Sequence, residues 1–117
     1  MPWRVDFHPA FLPEYEAFSI AVQNELLALV ELLRLRGAQL GRPHADTLKG
    51  SVYANMKELR FKADNGVWRV AFAFDPERKA VLLVAGNKSG IKEGKFYKML
   101  IRRADERYEE HLRSLKK

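Results

Sequence analysis

Residues 57–88, KELRFKADNGVWRVAFAFDPERKAVLLVAGNK, read as three short strands joined by two tight turns, and the rest of the chain is arranged around them. Asp64-Asn65-Gly66 offers residues that tolerate the positive φ a hairpin needs, and Asp75-Pro76-Glu77-Arg78 begins a second turn with proline preset at its first central position. Three strands in succession with no helix between them make an antiparallel meander. Side chains alternate across a strand, so Leu59 and Phe61 share one face and Glu58, Arg60 and Lys62 the other. In the next strand Trp68, Val70, Phe72 and Phe74 oppose Arg69, Ala71 and Ala73. Arg60 and Arg69 therefore leave the same surface of the sheet. Val81 to Ala85 is apolar on both faces, which suits a central strand covered on each side, and Gly86-Asn87-Lys88-Ser89-Gly90 breaks it.

Outward from the meander the pattern changes period. Trp3, Val5 and Phe7 alternate with Arg4, Asp6 and His8, a fourth short strand stopped by Pro9. Pro13 followed by Glu14 suits a first helical turn, which has no use for proline's missing N–H and favours an acid. Ser19 can cap a second segment whose apolar positions Val22, Leu26, Leu29, Val30 and Leu33 recur at helical spacing up to Gly37; one kinked helix fits equally well. Residues 37–53 carry three of the seven glycines and no sustained period, and read as a loop. Near the end, Phe96, Leu100, Ala104, Tyr108 and Leu112 lie four apart, with Ile101 and Leu115 widening the stripe of an amphipathic helix. The expectation is an α+β domain spanning residues 1–117, with helices packed on an antiparallel sheet.

Composition narrows the function classes. The 117 residues are 47% hydrophobic, enough to bury a core without staples. The absence of cysteine removes disulfides, thiolate zinc sites and a cysteine nucleophile, and fits a reducing compartment. The start MPWRVDFHPAF shows no basic segment leading into an apolar run, and no stretch reaches the apolar length of a membrane span, so a soluble cytoplasmic protein is expected. His8, His44 and His111 lie far apart with no ligand spacing, which argues against a metal centre; for His44 a loop hydrogen bond outweighs a catalytic role. GNKSG lacks the spacing and the Lys-Ser/Thr ending of a nucleotide-binding loop.

The formal charge of +6 is unevenly placed. Residues 1–48 hold 4 Lys and Arg against 6 Asp and Glu, whereas residues 86–117 hold 10 against 5. A positive field over the meander and the C-terminal segment favours a polyanion, nucleic acid first. Arg60 and Arg69 stand on one sheet face, Lys88 follows the last strand, and Lys92, Lys95 and Lys98 surround the start of the terminal helix with Tyr97 among them. Phosphate recognition needs such groups: guanidinium forks for its oxygens, an ammonium that can give up a proton, and an aromatic ring to stack on a base. The competing reading is a solvated sheet face beside a lysine-rich surface helix. Against it, Ala71 and Ala73 leave a floor of small side chains beside the arginines, and acids are scarce after residue 78.

The stretches LKGS…MKELRF, WRVAFAFDP and AGNKSG…KFYK…ADERYEEHL resemble the HigB-like, phage-derived toxins of the RelE/ParE superfamily, and FHPAF and LGRPHADTLKGS extend the likeness over nearly the whole chain. The resemblance implies a RelE-like fold and the toxin of a type II toxin–antitoxin pair: a ribosome-dependent endoribonuclease that cuts messenger RNA by 2′-OH transesterification, without metal or other cofactor. It implies as partners the ribosome, messenger RNA and a cognate antitoxin, often a helix-turn-helix protein of the same operon. On this likeness Arg69 and Arg60 are assigned to the scissile phosphate, Lys88 to acid or phosphate contact, Lys57 or Glu58 to the base, and Lys92, Lys95, Tyr97 and Lys98 to RNA binding. Strict alternation sets Lys57 on the core parity unless its strand begins after it. A ParE-like gyrase inhibitor and a non-catalytic RNA-binding remnant share the fold and remain as alternatives.

Overall fold

In the computed structural model, which describes residues 2–116, the chain runs β1 (Arg4–Phe7), α1 (Phe11–Glu16), α2 (Ile20–Arg36), β2 (Ala45–Thr47), β3 (Met56–Ala63), β4 (Gly66–Phe74), β5 (Lys79–Asn87) and α3 (Glu93–Ser114). Both turns of the meander form. Asp64 and Asn65 take φ of 53° and 62°, and Ala63 pairs with Gly66, giving the two-residue hairpin whose twist matches its strands. At the second turn the Arg78 N–H donates to the Asp75 carbonyl at 2.9 Å, while Asp75 Oδ1 accepts the N–H groups of Glu77 and Lys79, each at 2.9 Å.

The five strands lie in the order β1-β5-β4-β3-β2, antiparallel throughout except for β1, which runs parallel to β5. The middle strand is thus β4 rather than the Val81–Ala85 segment, although β5 stays interior because β1 closes its outer side. The segment read as loop holds a 3₁₀ turn at Gly37–Gln39 and the edge strand β2, which pairs with Lys57 to Leu59. Three residues carry too little periodicity to register as a strand. The N-terminal helical region is two helices, not one kinked helix: Ser19 Oγ accepts the Val22 N–H at 3.3 Å and starts α2 afresh. Gly37, at φ 56°, ends it and returns its N–H to the Leu33 carbonyl.

Three layers result. Leu26, Leu29 and Leu33 of α2 pack with Leu59, Val70, Phe72 and Leu82 on one face of the sheet. Phe96, Leu100, Ala104 and Tyr108 of α3 pack with Met56, Ala71, Ala73, Leu83 and Val84 on the other. A β-bulge decides what α3 meets. Ala71 pairs with Val84 but Phe72 with Leu82, so Leu83 is an extra residue and both Leu83 and Val84 turn toward α3. Beyond the bulge the alternation is shifted by one, which brings Gly86 to the α3 face directly opposite Arg69.

The C-terminal half of α3 is clamped by polar contacts. Arg107 donates to both oxygens of Glu14 at 2.8 and 2.6 Å and to the Leu83 carbonyl at 2.8 Å. His111 Nε2 lies 2.7 Å from Asp75 Oδ2, and His8 Nε2 3.4 Å from Glu110. Burial raises the Asp75 carboxyl, but the His111 contact, the turn N–H groups and Lys79 outweigh it and hold the group below its ordinary value. No helix among the described residues is long and apolar enough to cross a membrane.

Candidate nucleic-acid interface

The register of β3 and β4 sets Arg60 directly across from Arg69 and Glu58 across from Ala71, as the strand parity requires. All three charged side chains lie on the face that α3 covers, beside the alanines. Glu58 is 3% exposed and Arg69 6% exposed, so both are desolvated and must find partners in the protein. Arg60 Nη1 donates to Glu58 Oε2 at 2.7 Å, and Arg69 Nε stands 3.9 Å from Glu58 Oε1. Arg69 also donates from Nη1 to the Trp68 carbonyl at 2.9 Å and from Nε to the Tyr97 hydroxyl at 3.1 Å. Glu58 Oε1 is buried without a close hydrogen bond, held instead by the longer approach of Arg69 and by the Tyr97 hydroxyl.

The first turns of α3 close over this group because Gly86 lets them. A Cβ at Gly86 would sit 2.7 Å from the Phe96 ring, closer than any side chain tolerates. With glycine there, Phe96 drops onto the sheet and the adjacent Tyr97 ring, 5.2 Å away and edge-on, stands over Arg69. Burial raises the Tyr97 phenol above its ordinary value; the Arg69 bond opposes this, and the hydrogen bond and charge of the Glu58 carboxyl add to it. Lys88 reaches the same rim, with Nζ 5.7 Å from the Tyr97 ring centroid and 2.8 Å from Glu93 Oε1. The Glu93 carboxyl is held below its ordinary value by that Lys88 bond, with Arg69 and Arg60 contributing.

The group therefore brings together Arg60, Arg69, Glu58, Lys88 and Tyr97. Lys57 is not brought to it: Lys57 pairs with Thr47 and Phe72 and belongs to the α2 side of the sheet, because β3 begins at Met56 and the alternation holds. Lys92, Lys95 and Lys98 are exposed around the start of α3. Among the described residues no three His, Asp or Glu side chains converge as a metal site requires.

The sequence of residues 13–109 matches the family described as phage-derived protein Gp49-like. The chain belongs to the Gp49-like family. Two of its relatives are proteins of Mycobacterium tuberculosis strain H37Rv. One bears the name of toxin HigB3 and is 40% identical over 107 residues, which cover 88% of this chain and 91% of the relative. Another bears the name of toxin HigB2 and is 44% identical over 88 residues, 74% of this chain but only 43% of the longer relative. The fold matches a solved structure of the E. coli toxin RelE, an arginine mutant in the free state, with a TM-score of 0.61, 13% identity and coverage of 86% of this chain and 95% of that one. The expected RelE-like α+β fold and HigB-like kinship are borne out.

Two residues of the site in this Gp49-like chain escape the sequence reading. Gly86 is expected there to break the last strand, yet β5 continues through Asn87 and Gly86 lies inside it as a contact point for α3. A glycine following the five aliphatic strand residues Val81 to Ala85 is a signal of close approach, and it could have been read so. Glu93 lies in the first turn of α3, where an acid is ordinary for a helix start; its pairing with Lys88 depends on the loop between them.

Proposed function

We propose that this chain is a toxin whose α3-covered groove cuts messenger RNA on the ribosome by metal-independent transesterification. The observation that carries the reading is the buried Glu58 carboxyl between Arg60 and Arg69, with a tyrosine and a lysine at the rim. Two arginines suit the oxygens of a phosphate better than lysines, since each guanidinium presents parallel donors. Tyr97 gives up its hydroxyl contact with Arg69 when RNA enters and offers its ring to a base, a stacking worth roughly 1–3 kcal/mol.

Glu58 Oε1 then accepts the proton of the ribose 2′-OH as the 2′-oxygen forms its bond to phosphorus. Arg69 and Arg60 stabilise the charge on the non-bridging oxygens, and Lys88 donates a proton to the departing 5′-oxygen as its bond to phosphorus breaks. The products are a 2′,3′-cyclic phosphate and a 5′-OH. Lys57 has no part in this scheme, and Lys92, Lys95 and Lys98 supply sequence-independent attraction to the RNA backbone.

The kinship to proteins named as HigB toxins supports a cognate antitoxin as the partner that keeps the activity silent, and a ribosomal substrate makes the cytoplasm its site of action. Induced expression with mapping of RNA ends tests the reading. New 5′-OH ends inside translated messages are expected, and growth arrest with DNA-damage signalling and no cuts would overturn it in favour of a gyrase target.

A further inference from the structure

Glu93 is a carboxylate standing where the groove should attract only anions from outside. It is fixed to Lys88 Nζ at 2.8 Å, and Lys88 in turn lies over the ring of Tyr97, whose hydroxyl accepts a hydrogen bond from Arg69 Nε. The contacts form a chain from the buried arginine to the solvent edge: Arg69, Tyr97, Lys88, Glu93. Its two ends differ in exposure. The Arg69 side chain is 7% exposed and the Glu93 side chain 71%, so the outer carboxylate is the piece free to leave.

A helix-start acid alone would stabilise α3 through its first-turn N–H groups whichever way its side chain pointed. Here the side chain instead spans the loop to Lys88, at the rim beside Tyr97 and Arg69. The field at that carboxylate, from Lys88 with Arg69 and Arg60 behind it, is the field a phosphate would meet.

We infer that Glu93 is a positioning residue acting through Lys88, an internal anion that occupies the ammonium until an RNA phosphate takes its place. The inference rests on the RNA-groove reading above. In the free protein Glu93 holds Lys88 at the rim beside Tyr97. When RNA binds, the phosphate and the carboxylate compete for one ammonium; the phosphate gains hydrogen bonds from Arg69 and Arg60, which Glu93 feels only as distant charges. Glu93 swings outward, and Lys88 is left against the leaving-group side of the phosphate. The device sets a threshold: weak anions that cannot also engage the arginines do not displace it.

The test is binding of a short single-stranded RNA, 2′-O-methylated at every position so that no 2′-OH can attack, by wild type, Glu93→Gln, Lys88→Met and the double variant across a range of KCl. Glu93→Gln should bind about threefold tighter at low salt, the scale of an exposed ion pair, and the gain should shrink toward 0.3 M KCl as screening weakens the competition. In the Lys88→Met background the same change should give no gain, since the carboxylate then has nothing to occupy. Unchanged or weaker binding by Glu93→Gln would overturn the inference, and so would a gain that persists without Lys88, because Glu93 would then act by general repulsion. The underlying reading fails differently: wild type would not bind, or Arg69→Ala would bind as wild type does.

Discussion

The two ends of α3 carry polar clusters of similar composition and opposite character. At the C-terminal end the carboxylates are saturated: both oxygens of Glu14 accept from Arg107, which also reaches the Leu83 carbonyl, and both oxygens of Asp75 are taken by His111 and two backbone N–H groups. At the N-terminal end, about 15–20 Å along the helix, Glu58 keeps a buried oxygen without a close hydrogen bond, and Arg69 directs its Nε to a tyrosine hydroxyl although a carboxylate oxygen stands 3.9 Å away. A saturated cluster has no capacity left for a ligand and serves to fix the helix. An unsaturated one is held together by its surroundings and retains donors and acceptors for something else. Degree of satisfaction, more than charge or burial, separates the clamp from the site.

The contrast is broken most directly by removing one arginine from each end. Arg69→Ala should lower RNA cleavage on programmed ribosomes by about 10²–10³-fold, the loss expected when one donor to a transition-state oxyanion is removed, while circular dichroism shows a folded chain. Full activity in that variant would mean that the unsaturated cluster is not the site. Arg107→Ala should do the reverse: urea unfolding should show a loss of about 2 kcal/mol, less than the ~3–5 kcal/mol of a fully buried pair because the Glu14 side chain keeps 37% exposure. Cleavage by the folded fraction should stay near wild type.

Gly86→Ala sharpens the comparison without touching a charge. The new methyl meets the Phe96 ring, which is 5% exposed and has little room to retreat, so the first turns of α3 must lift. Overpacking of this kind costs about 1–2 kcal/mol. Because Tyr97 follows Phe96, cleavage should fall roughly tenfold while the C-terminal clamp holds, and the Arg69–Tyr97 contact should be lost in a crystal structure of the variant. Unchanged cleavage would show that the fit of α3 at Gly86 does not set the geometry of the groove.

How much of this is legible in sequence depends on the range of each interaction. The turns at Asp64-Asn65 and Asp75-Pro76, the cap at Ser19 and the stop at Gly37 are decided by neighbouring residues, and all appear where local chemistry sets them. Strand parity puts Arg60 and Arg69 on one face, and the register makes them direct neighbours. The pairing of β1 with β5 joins residues some 75 positions apart, and β2 is three residues long, so neither leaves a local pattern. The site is visible through its arginines and tyrosine but not through Glu93 or Gly86. Glu93 finds Lys88 only across a loop, and Gly86 reaches the α3 face through a bulge at Leu83, which shifts the alternation of β5 and cannot be read from a run of aliphatic residues. Lys57 shows the converse: parity alone sets it on the far face, and so it stands.

The smallest effect concerns the clamp and its response to acid. His8 is buried between β1 and α3, and burial lowers its pKa; Glu110 pulls it back up, while Arg107 and His111 push it further down. The unfolded chain therefore takes up a proton at His8 near pH 6.5, before the folded one does. Stability from this group is complete above that value and is lost as pH falls through it toward the lower folded value. Between pH 7.5 and 5.5 wild type should lose about 1 kcal/mol or less by urea unfolding, and His8→Asn should remove that component of the slope. The carboxylates of the clamp, Glu14 and Asp75, are both depressed, so their share is lost only as pH falls below about 4, outside this window. A wild-type chain more stable at pH 5.5 than at 7.5, with the difference abolished in His8→Asn, would mean that the attraction of Glu110 outweighs burial. The His8–Glu110 contact would then be an ion pair rather than the contact of a neutral imidazole.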